Sequence, residues 1–473
     1  MKILLIRPKN TKAFSLFAKA GGLTIPLGIS YIAALLMKKG YQVKVLDNLL
    51  ENLEFQEIEE YIRDYNPDIV GISATTVDIY QGFQIAKITK KINKNMLLVI
   101  GGHHVTTLPE ETVKNENVDV VVVGEGEQTA LELVEAVKNK KSFKEIKGLY
   151  YKENDQIVFT GQRELIENLD ILPFPARELL EMGEYTLSAT RKRVQGKAGA
   201  VITSRGCPFN CNFCCKKVFG RTMRYRSAEN IVAEIELIMD KYDIKEISFI
   251  DDAFTINRKH VINVCNLLIE KKLNLSWVCH SRVDCLDDEL LKIMKKAGCH
   301  SIAFGIESGD QKVLDSIGKQ TTLEKAREVI TLTKKYKISS LCGFMIGNLG
   351  ETKETVMKTI KFARELDCTF ANFAILVPLP GSKVFDIAKE KGLIDDKNYD
   401  RYTALSNQKP VLPLSELTSD ELVFYQKLGY RKFYFRPKYI FKKILKLKNP
   451  EDFKQGFRGL QAILKHQLHK YTK

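Results

Sequence analysis

The chain has 473 residues, 44% hydrophobic and 28% charged, with a formal net charge of +15. That composition is globular, large enough for two to four domains, and no apolar run approaches the roughly 20 residues needed to cross a bilayer. The start, Met1–Arg7, reads as a buried strand rather than a signal peptide, which makes a cytoplasmic location the expectation.

Residues 1–140 alternate strand and helix. The candidate strands Lys2–Arg7, Gln42–Leu46, Asp68–Ser73, Met96–Ile100 and Asp119–Val123 are short and almost continuously apolar, as parallel strands buried on both faces should be. Amphipathic stretches such as Leu27–Lys39, Val77–Ile92 and Glu127–Val137 lie between them. The pattern predicts an open, doubly wound α/β domain whose ligands bind beyond the carboxyl ends of the strands. The loops there carry Ser73, the run Gly101-Gly102-His103-His104, and Gly124-Glu125-Gly126-Glu127. Paired glycines at a strand end let backbone approach a bulky ligand closely.

Residues 141–198 form a connector. Residues 147–162 alternate around the polar turn Glu153–Gln156 and read as a β-hairpin, and Pro173-Phe-Pro175 breaks any helix that follows. From 199 to 390 a second alternating series runs through Ala200–Ser204, Glu246–Ile250, Leu275–His280, Ser301–Ile306, Ser340–Ile346 and Asn372–Val377. Helical stretches separate these strands, among them Ala228–Lys241, Leu286–Lys296, Leu323–Tyr336 and Lys353–Glu365. Six βα units predict a partial (βα)6 barrel, with chemistry collected at the carboxyl ends of the strands.

The most specific motif directly follows the first of these strands. Cys207, Cys211 and Cys214 stand in C-x3-C-x2-C spacing, with Phe213 immediately before the third. Three thiolates on one flexible loop suit a 4Fe–4S cluster with one open iron, whereas a closed structural zinc site needs four N/S ligands. Cys215 is a poor fourth ligand, because neighbouring side chains diverge. The ten cysteines all lie at or after Cys207, which excludes a disulfide framework in a chain this long. The other strand ends offer Asp251 and Asp252, Arg282, and Glu307 with Ser308. These are two carboxylates suited to an ammonium, a guanidinium suited to a carboxylate, and a pair suited to ribose hydroxyls.

The cysteine motif resembles the radical S-adenosylmethionine (SAM) superfamily. The first 140 residues resemble the cobalamin (vitamin B12) domain that precedes many of its members. The resemblance implies a cobalamin-dependent radical SAM enzyme, with Cys207, Cys211 and Cys214 on the cluster. It implies that Asp251 or Asp252, Arg282 and Glu307 meet the amino, carboxylate and ribose groups of SAM, with Phe213 and Ser308 beside them. Cobalamin contacts fall to Ser73, Gly101, Gly102, His103, Gly124 and Glu125. The loop that usually supplies a cobalt-ligating His reads Arg7-Pro-Lys-Asn-Thr11 here and has none. The implied reaction is C-methylation of an unactivated carbon, with oxidative ring closure or rearrangement as the alternative within the class. A non-catalytic cobalamin carrier or sensor would need neither the cysteines nor Asp251, Arg282 and Glu307. An external electron donor of flavodoxin or ferredoxin type is expected.

Residues 391–473 form a basic extension, with 13 Lys and Arg between Arg431 and Lys473 against Glu451 and Asp452 alone. Aromatic and aliphatic residues interleave with the bases from Tyr430 to Lys448. That is the composition of an interfacial element, and Pro437 should split it into two short helices. Peripheral membrane contact and a small-molecule or lipid-like substrate are the matching expectations. No fold for reading nucleic acid is recognised.

Overall fold

A computed structural model describes residues 1–9, 22–188, 190–192, 197–394, 399–402, 414–445, 459–461, 463–464 and 466–468. Its first sheet has seven strands: β1 (Lys2–Arg7), β2 (Gln42–Asp47), β3 (Ile69–Ser73), β4 (Leu97–Gly101), β5 (Val120–Val122), β6 (Leu149–Glu153) and β7 (Gln156–Phe159). They lie in the order β2-β1-β3-β4-β5-β6-β7. Strands β1 to β5 are parallel. The order reverses between β1 and β3, where an open sheet of this kind leaves a ligand crevice. The hairpin expected at 147–162 adds β6 antiparallel to β5 and β7 antiparallel to β6, so the first sheet continues into the connector. Leu4, Ile6, Val70, Ile72, Leu98 and Ile100 are buried on one face of the sheet, and Ile3, Leu5, Ile69, Val99 and Val120 on the other. The continuous apolar runs of these strands follow from that double burial.

The second sheet contains β8 (Gly199–Val201), β11 (Glu246–Phe249), β12 (Ser276–Ser281), β13 (Cys299–Glu307), β14 (Ser339–Ile346) and β15 (Phe370–Ile375), with the two-residue strands β9 (Ser204–Arg205) and β10 (Arg224–Tyr225) set apart from it. The six lie side by side in chain order, all parallel. In β13 and β14, buried residues such as Ile302, Phe304, Cys342 and Phe344 alternate with half-buried Ala303, Gly305, Leu341 and Gly343. One face packs under helices while the other opens on the barrel interior.

The expected strand Ala200–Ser204 is cut short for a clear reason. The Thr203 amide and the Thr203 and Ser204 hydroxyls all donate to Asp251 Oδ1, at 3.0, 2.8 and 2.6 Å. The chain therefore leaves the sheet, and Ser204–Arg205 pairs instead with Arg224–Tyr225.

Both edges of this open barrel are covered, which removes unpaired backbone from solvent. On the β8 side, Arg177 donates to the Ala200 carbonyl at 2.7 Å and Arg226 to that of Ile202 at 2.9 Å. Both guanidiniums are ion-paired to buried Glu234. On the β15 side lies helix Ser419–Tyr434, where Gln426 donates to the Phe373 carbonyl at 2.9 Å and the Tyr434 hydroxyl to that of Ala371 at 2.8 Å. Pro437 opens a separate helix, Pro437–Ile444, so the tail is split as expected. Tyr399 returns to the first domain, where its hydroxyl donates to Glu111 at 3.0 Å and its ring stacks on Tyr80.

Candidate functional site

The cysteine loop rises between β9 and β10, whose antiparallel pairing closes its base. Gly206 (φ +97°) turns the chain into the loop against the Thr222 carbonyl, where a Cβ would overlap. Further up, the Asn212 amide donates to Ile317 O at 3.0 Å and Asn212 O accepts from the Val384 amide at 3.1 Å. The loop is thus wedged between the segments following β13 and β15. Cys207, Cys211 and Cys214 are free thiols on it. The Cys215 sulfur instead borders Gly381 beside Thr107 of the first domain, and a Cβ on Gly381 would stand 2.8 Å from that sulfur.

The surroundings suit thiolate ligands. Arg282 lies 3.6 Å over the Phe209 ring and points Nη1 at the Cys211 sulfur at 3.8 Å. Buried Lys319 adds a second cation 6.0 Å from the centre of the Phe213 ring. The Cys214 hydrogen bond, aided by Lys319 and Arg282, pulls the Cys211 thiol below its ordinary range. Cationic neighbours of this kind stabilise the sulfur anion that binds iron. Among the described residues, no three His, Cys, Asp or Glu side chains are gathered round a point that would hold one metal ion. A cubane takes each thiolate on a different iron, so the loop fits a cluster better than a single ion.

The remaining residues read from the sequence divide into two groups. Glu307 ends β13 at φ +68°, a left-handed conformation costly for any residue but glycine, and its carboxylate meets Lys319 Nζ at 2.8 Å. Asp252 is exposed at the end of β11, whereas Asp251 is fully buried, with Oδ2 unpartnered among the described residues and its carboxyl pushed up by burial. Arg282 is already engaged. It forks onto Asp284 at 3.0 and 2.8 Å and also donates to the Lys319 carbonyl at 2.5 Å. Ser308 is turned into the barrel wall, its hydroxyl 3.1 Å from Thr359 Oγ1 and accepting from the Asp310 amide at the same distance. Lys319 was not singled out from sequence. Nothing near it in the chain marks it, because Glu307 and Phe213 reach it only through the fold.

On the first domain, Ser73 and Gly101 are register partners at the ends of β3 and β4. Gly102 (φ +107°) lets the next loop press on Ala74, whose carbonyl oxygen would lie 2.6 Å from a Cβ. Gly124 (φ +77°) has open space where a Cβ would stand, as a cradle for a large planar ligand requires. Burial holds the His103 ring below its usual pKa, and the Asp252 carboxylate opposes that shift across the domain boundary. His104 is buried edge-on against Tyr399, and its Nε2 has no partner among the described residues. Arg7 is forked onto Asp47 at 2.6 and 2.5 Å, and Tyr185 caps the same carboxylate at 2.7 Å. These features fit cobalamin at the carboxyl edge of the sheet, held by backbone and neutral side chains.

Glu125 faces the other way. It accepts from Arg205 and Arg224, both at 2.7 Å, and from the Ile166 amide at 2.8 Å, while Glu127 accepts from Arg205 at 2.5 Å. All four side chains are at most 6% exposed. Arg205 and Arg224 are the two residues paired at the base of the cysteine loop. The loop after β5 therefore grips the cysteine loop through a buried four-charge network.

Residues 15–134 match the B12 binding domain family and residues 201–363 the radical SAM superfamily. An uncharacterized methyltransferase of Pyrococcus horikoshii is 38% identical across 98% of both chains. The chain belongs to the B12-binding radical SAM family. The anaerobic magnesium-protoporphyrin IX monomethyl ester cyclase of Rubrivivax gelatinosus is 32% identical over 98% of this B12-binding radical SAM protein and 82% of the relative. The fold is shared with two solved enzymes. The cobalamin-dependent SAM radical enzyme OxsB has a TM-score of 0.74 at 17% identity, covering 98% of this chain and 71% of OxsB. The radical SAM methyltransferase TsrM of Kitasatospora setae has a TM-score of 0.68 at 19% identity, covering 83% and 75%.

Proposed function

We propose that this B12-binding radical SAM enzyme transfers a methyl group to an unactivated carbon of a small or lipid-like molecule. When bound, the 4Fe–4S cluster with SAM supplies a 5′-deoxyadenosyl radical, and cobalamin supplies the methyl group. The observation that carries this reading is the four-charge network. It fixes the cobalamin-domain loop Gly124–Glu127 to the base of the cysteine loop, so both cofactor sites open on one space. Cys207, Cys211 and Cys214 hold the cluster, and Arg282 offsets its charge from Cys211. Lys319 is the cation placed for the SAM carboxylate, exposed Asp252 for its amino group, and Glu307 for the ribose. Ser73, Gly101, Gly102, His103 and Gly124 line the cobalamin side. Such chemistry needs electrons from a flavodoxin- or ferredoxin-type donor and fits a cytoplasmic enzyme. The test is the pair of products made from SAM under anaerobic, reducing conditions. The likeness to the Rubrivivax cyclase favours oxidative ring closure as the second reading. It is distinguished by loss of hydrogen, rather than gain of a methyl group, in the substrate.

Among the described residues no helix is long and apolar enough to cross a membrane. The tail nevertheless has an interfacial surface. Helix Pro437–Ile444 buries Tyr439 and pins Arg436 and Lys442 on Asp367, at 3.4 and 2.6 Å. Part of the basic charge expected to face a membrane is therefore used to dock the helix. Ile440, Phe441, Ile444 and Leu445 remain between 43% and 66% exposed beside Lys438. Apolar side chains rimmed by lysine suit an anionic bilayer surface, each base there contributing about 1 kcal/mol. The intact protein should pellet with anionic but not neutral vesicles at low salt. Phe441→Ser/Ile444→Ser should lose that binding with activity on soluble substrate retained. Equal pelleting of both proteins would remove the membrane from the proposal.

A further inference from the structure

Among the described residues, one guanidinium beside the barrel has no carboxylate partner. Arg191 belongs to the connector, which leans on the first domain through the bridge Leu23↔Thr186. Its Nη1 meets His280 Nε2 at 2.9 Å. Its Nε and Nη2 are both buried and have no hydrogen-bond partner among the described residues. Among the described residues no carboxylate pairs with it. The burial that weakens its hold on the proton is opposed by the Cys279 sulfur alone, with no carboxylate contributing.

His280 fixes where this guanidinium lies. It precedes Arg282 by two residues, at the carboxyl end of β12, so the two share a strand face about 6–7 Å apart along the chain. Trp277, Cys279 and Ser281 occupy the opposite, buried face. Arg282 reaches the Cys211 sulfur from that shared face, and His280 is exposed on it. Arg191 therefore reaches the wall of the space onto which the cluster loop opens. Desolvation by the surrounding cleft, aided by the adjacent Arg191 charge, holds the His280 imidazole down to about 4. The ring is neutral near pH 7, accepts from Nη1, and orients the guanidinium without cancelling its charge. The nitrogens left free, Nε and Nη2, form the side-on edge that meets a carboxylate or phosphate with two parallel hydrogen bonds. A desolvated charge with two unused donors is costly unless a ligand completes it. Of the half-buried residues of β13 and β14, Ala303, Gly305, Ser339, Leu341 and Gly343 carry no charge, and Glu307 is paired with Lys319.

We propose that Arg191 is the receptor for an oxyanion of the substrate, a carboxylate, phosphate or phosphonate, with His280 as its positioning residue. This rests on the barrel interior being the reaction site, and it narrows the substrate to molecules with an anionic end and a neutral carbon body.

The experiment is calorimetric titration of the anaerobic holoenzyme, loaded with SAM and cobalamin, using propionate, methylphosphonate and the neutral analogue propionamide. Binding needs no turnover, so the proposal can fail while the chemistry stands, and the reverse. Wild type should bind one or both anions and not propionamide. R191Q should lose at least tenfold in anion affinity, with SAM and cobalamin affinities unchanged. R191K keeps the charge but not the fork and should lie between. If R191Q fails to fold, R191K carries the decision: weakened anion binding with SAM affinity unchanged supports the receptor, and wild-type anion binding refutes it. Anion binding that is absent, or equal in wild type and R191Q, overturns the proposal. So does a tenfold loss of SAM affinity in R191Q, which assigns the guanidinium to the SAM carboxylate, or loss of cobalamin, which assigns it to the cobalamin phosphate.

Discussion

Cys207→Ala, Cys211→Ala and Cys214→Ala each abolish reductive cleavage of SAM, while Cys215→Ala retains iron and sulfide close to the wild-type level. The expected effect is complete loss, because an incomplete set of thiolates leaves no stable cluster from which an electron can reach SAM. The physical case is the loop itself. It is turned at Gly206 and held at Asn212 by Ile317 and Val384, and Arg282 and Lys319 place positive charge beside Cys211. Cys215 points its sulfur at Gly381 and Thr107 instead. Anaerobic reconstitution followed by iron and sulfide analysis and assay of 5′-deoxyadenosine checks all four variants. A Cys215→Ala protein without a cluster, or any one of the three others with a competent cluster, would reassign the ligands.

The second large effect is at Glu125. Glu125→Ala leaves Arg205 and Arg224 with one buried carboxylate, Glu127, between them. Breaking a buried ion pair from one side costs about 3–5 kcal/mol, because the remaining charge stays desolvated. A chain of several domains need not unfold in one step, so the readout is local. Proteolysis in the connector should accelerate, and cobalamin and cluster content should fall together, since the network joins the two loops. Glu59→Ala is the matched control. Glu59 pairs with Arg63 and Lys91 at the surface, where solvent screens the pair. A Glu125→Ala enzyme that keeps both cofactors and resists protease like the control would show that the network does not couple the domains.

The same residue shows where the sequence was readable and where it was not. The parallel strands were legible because double burial leaves an unbroken apolar run, and the cysteine spacing because three ligands must come from one short loop. Placing Glu125 in a strand-end loop was also within reach. Its partners were not, since Arg205 and Arg224 lie about 80 and 99 positions further along the chain. Arg282 and Ser308 have the same history. Each stands at a strand end, yet the Lys319 carbonyl engages the first and Thr359 the second. Lys319 and Arg191 were invisible for the converse reason. A lone basic residue in a polar stretch looks solvated until the fold buries it. The composition of the tail pointed to an interface, but Gln426 and Tyr434 covering the β15 edge depend on pairing that no local pattern reports.

The central claim, that cluster, SAM and cobalamin act together in methyl transfer, is tested most directly by what becomes of SAM. The anaerobically reconstituted holoenzyme is supplied with reductant and the methyl-accepting substrate, or run uncoupled in its absence, and both SAM-derived products are quantified with and without cobalamin. A radical methyltransferase forms 5′-deoxyadenosine from one SAM and S-adenosylhomocysteine from another, and the second product disappears when cobalamin is omitted. Formation of 5′-deoxyadenosine alone, with no S-adenosylhomocysteine at any cobalamin concentration, would contradict methyl transfer and favour ring closure.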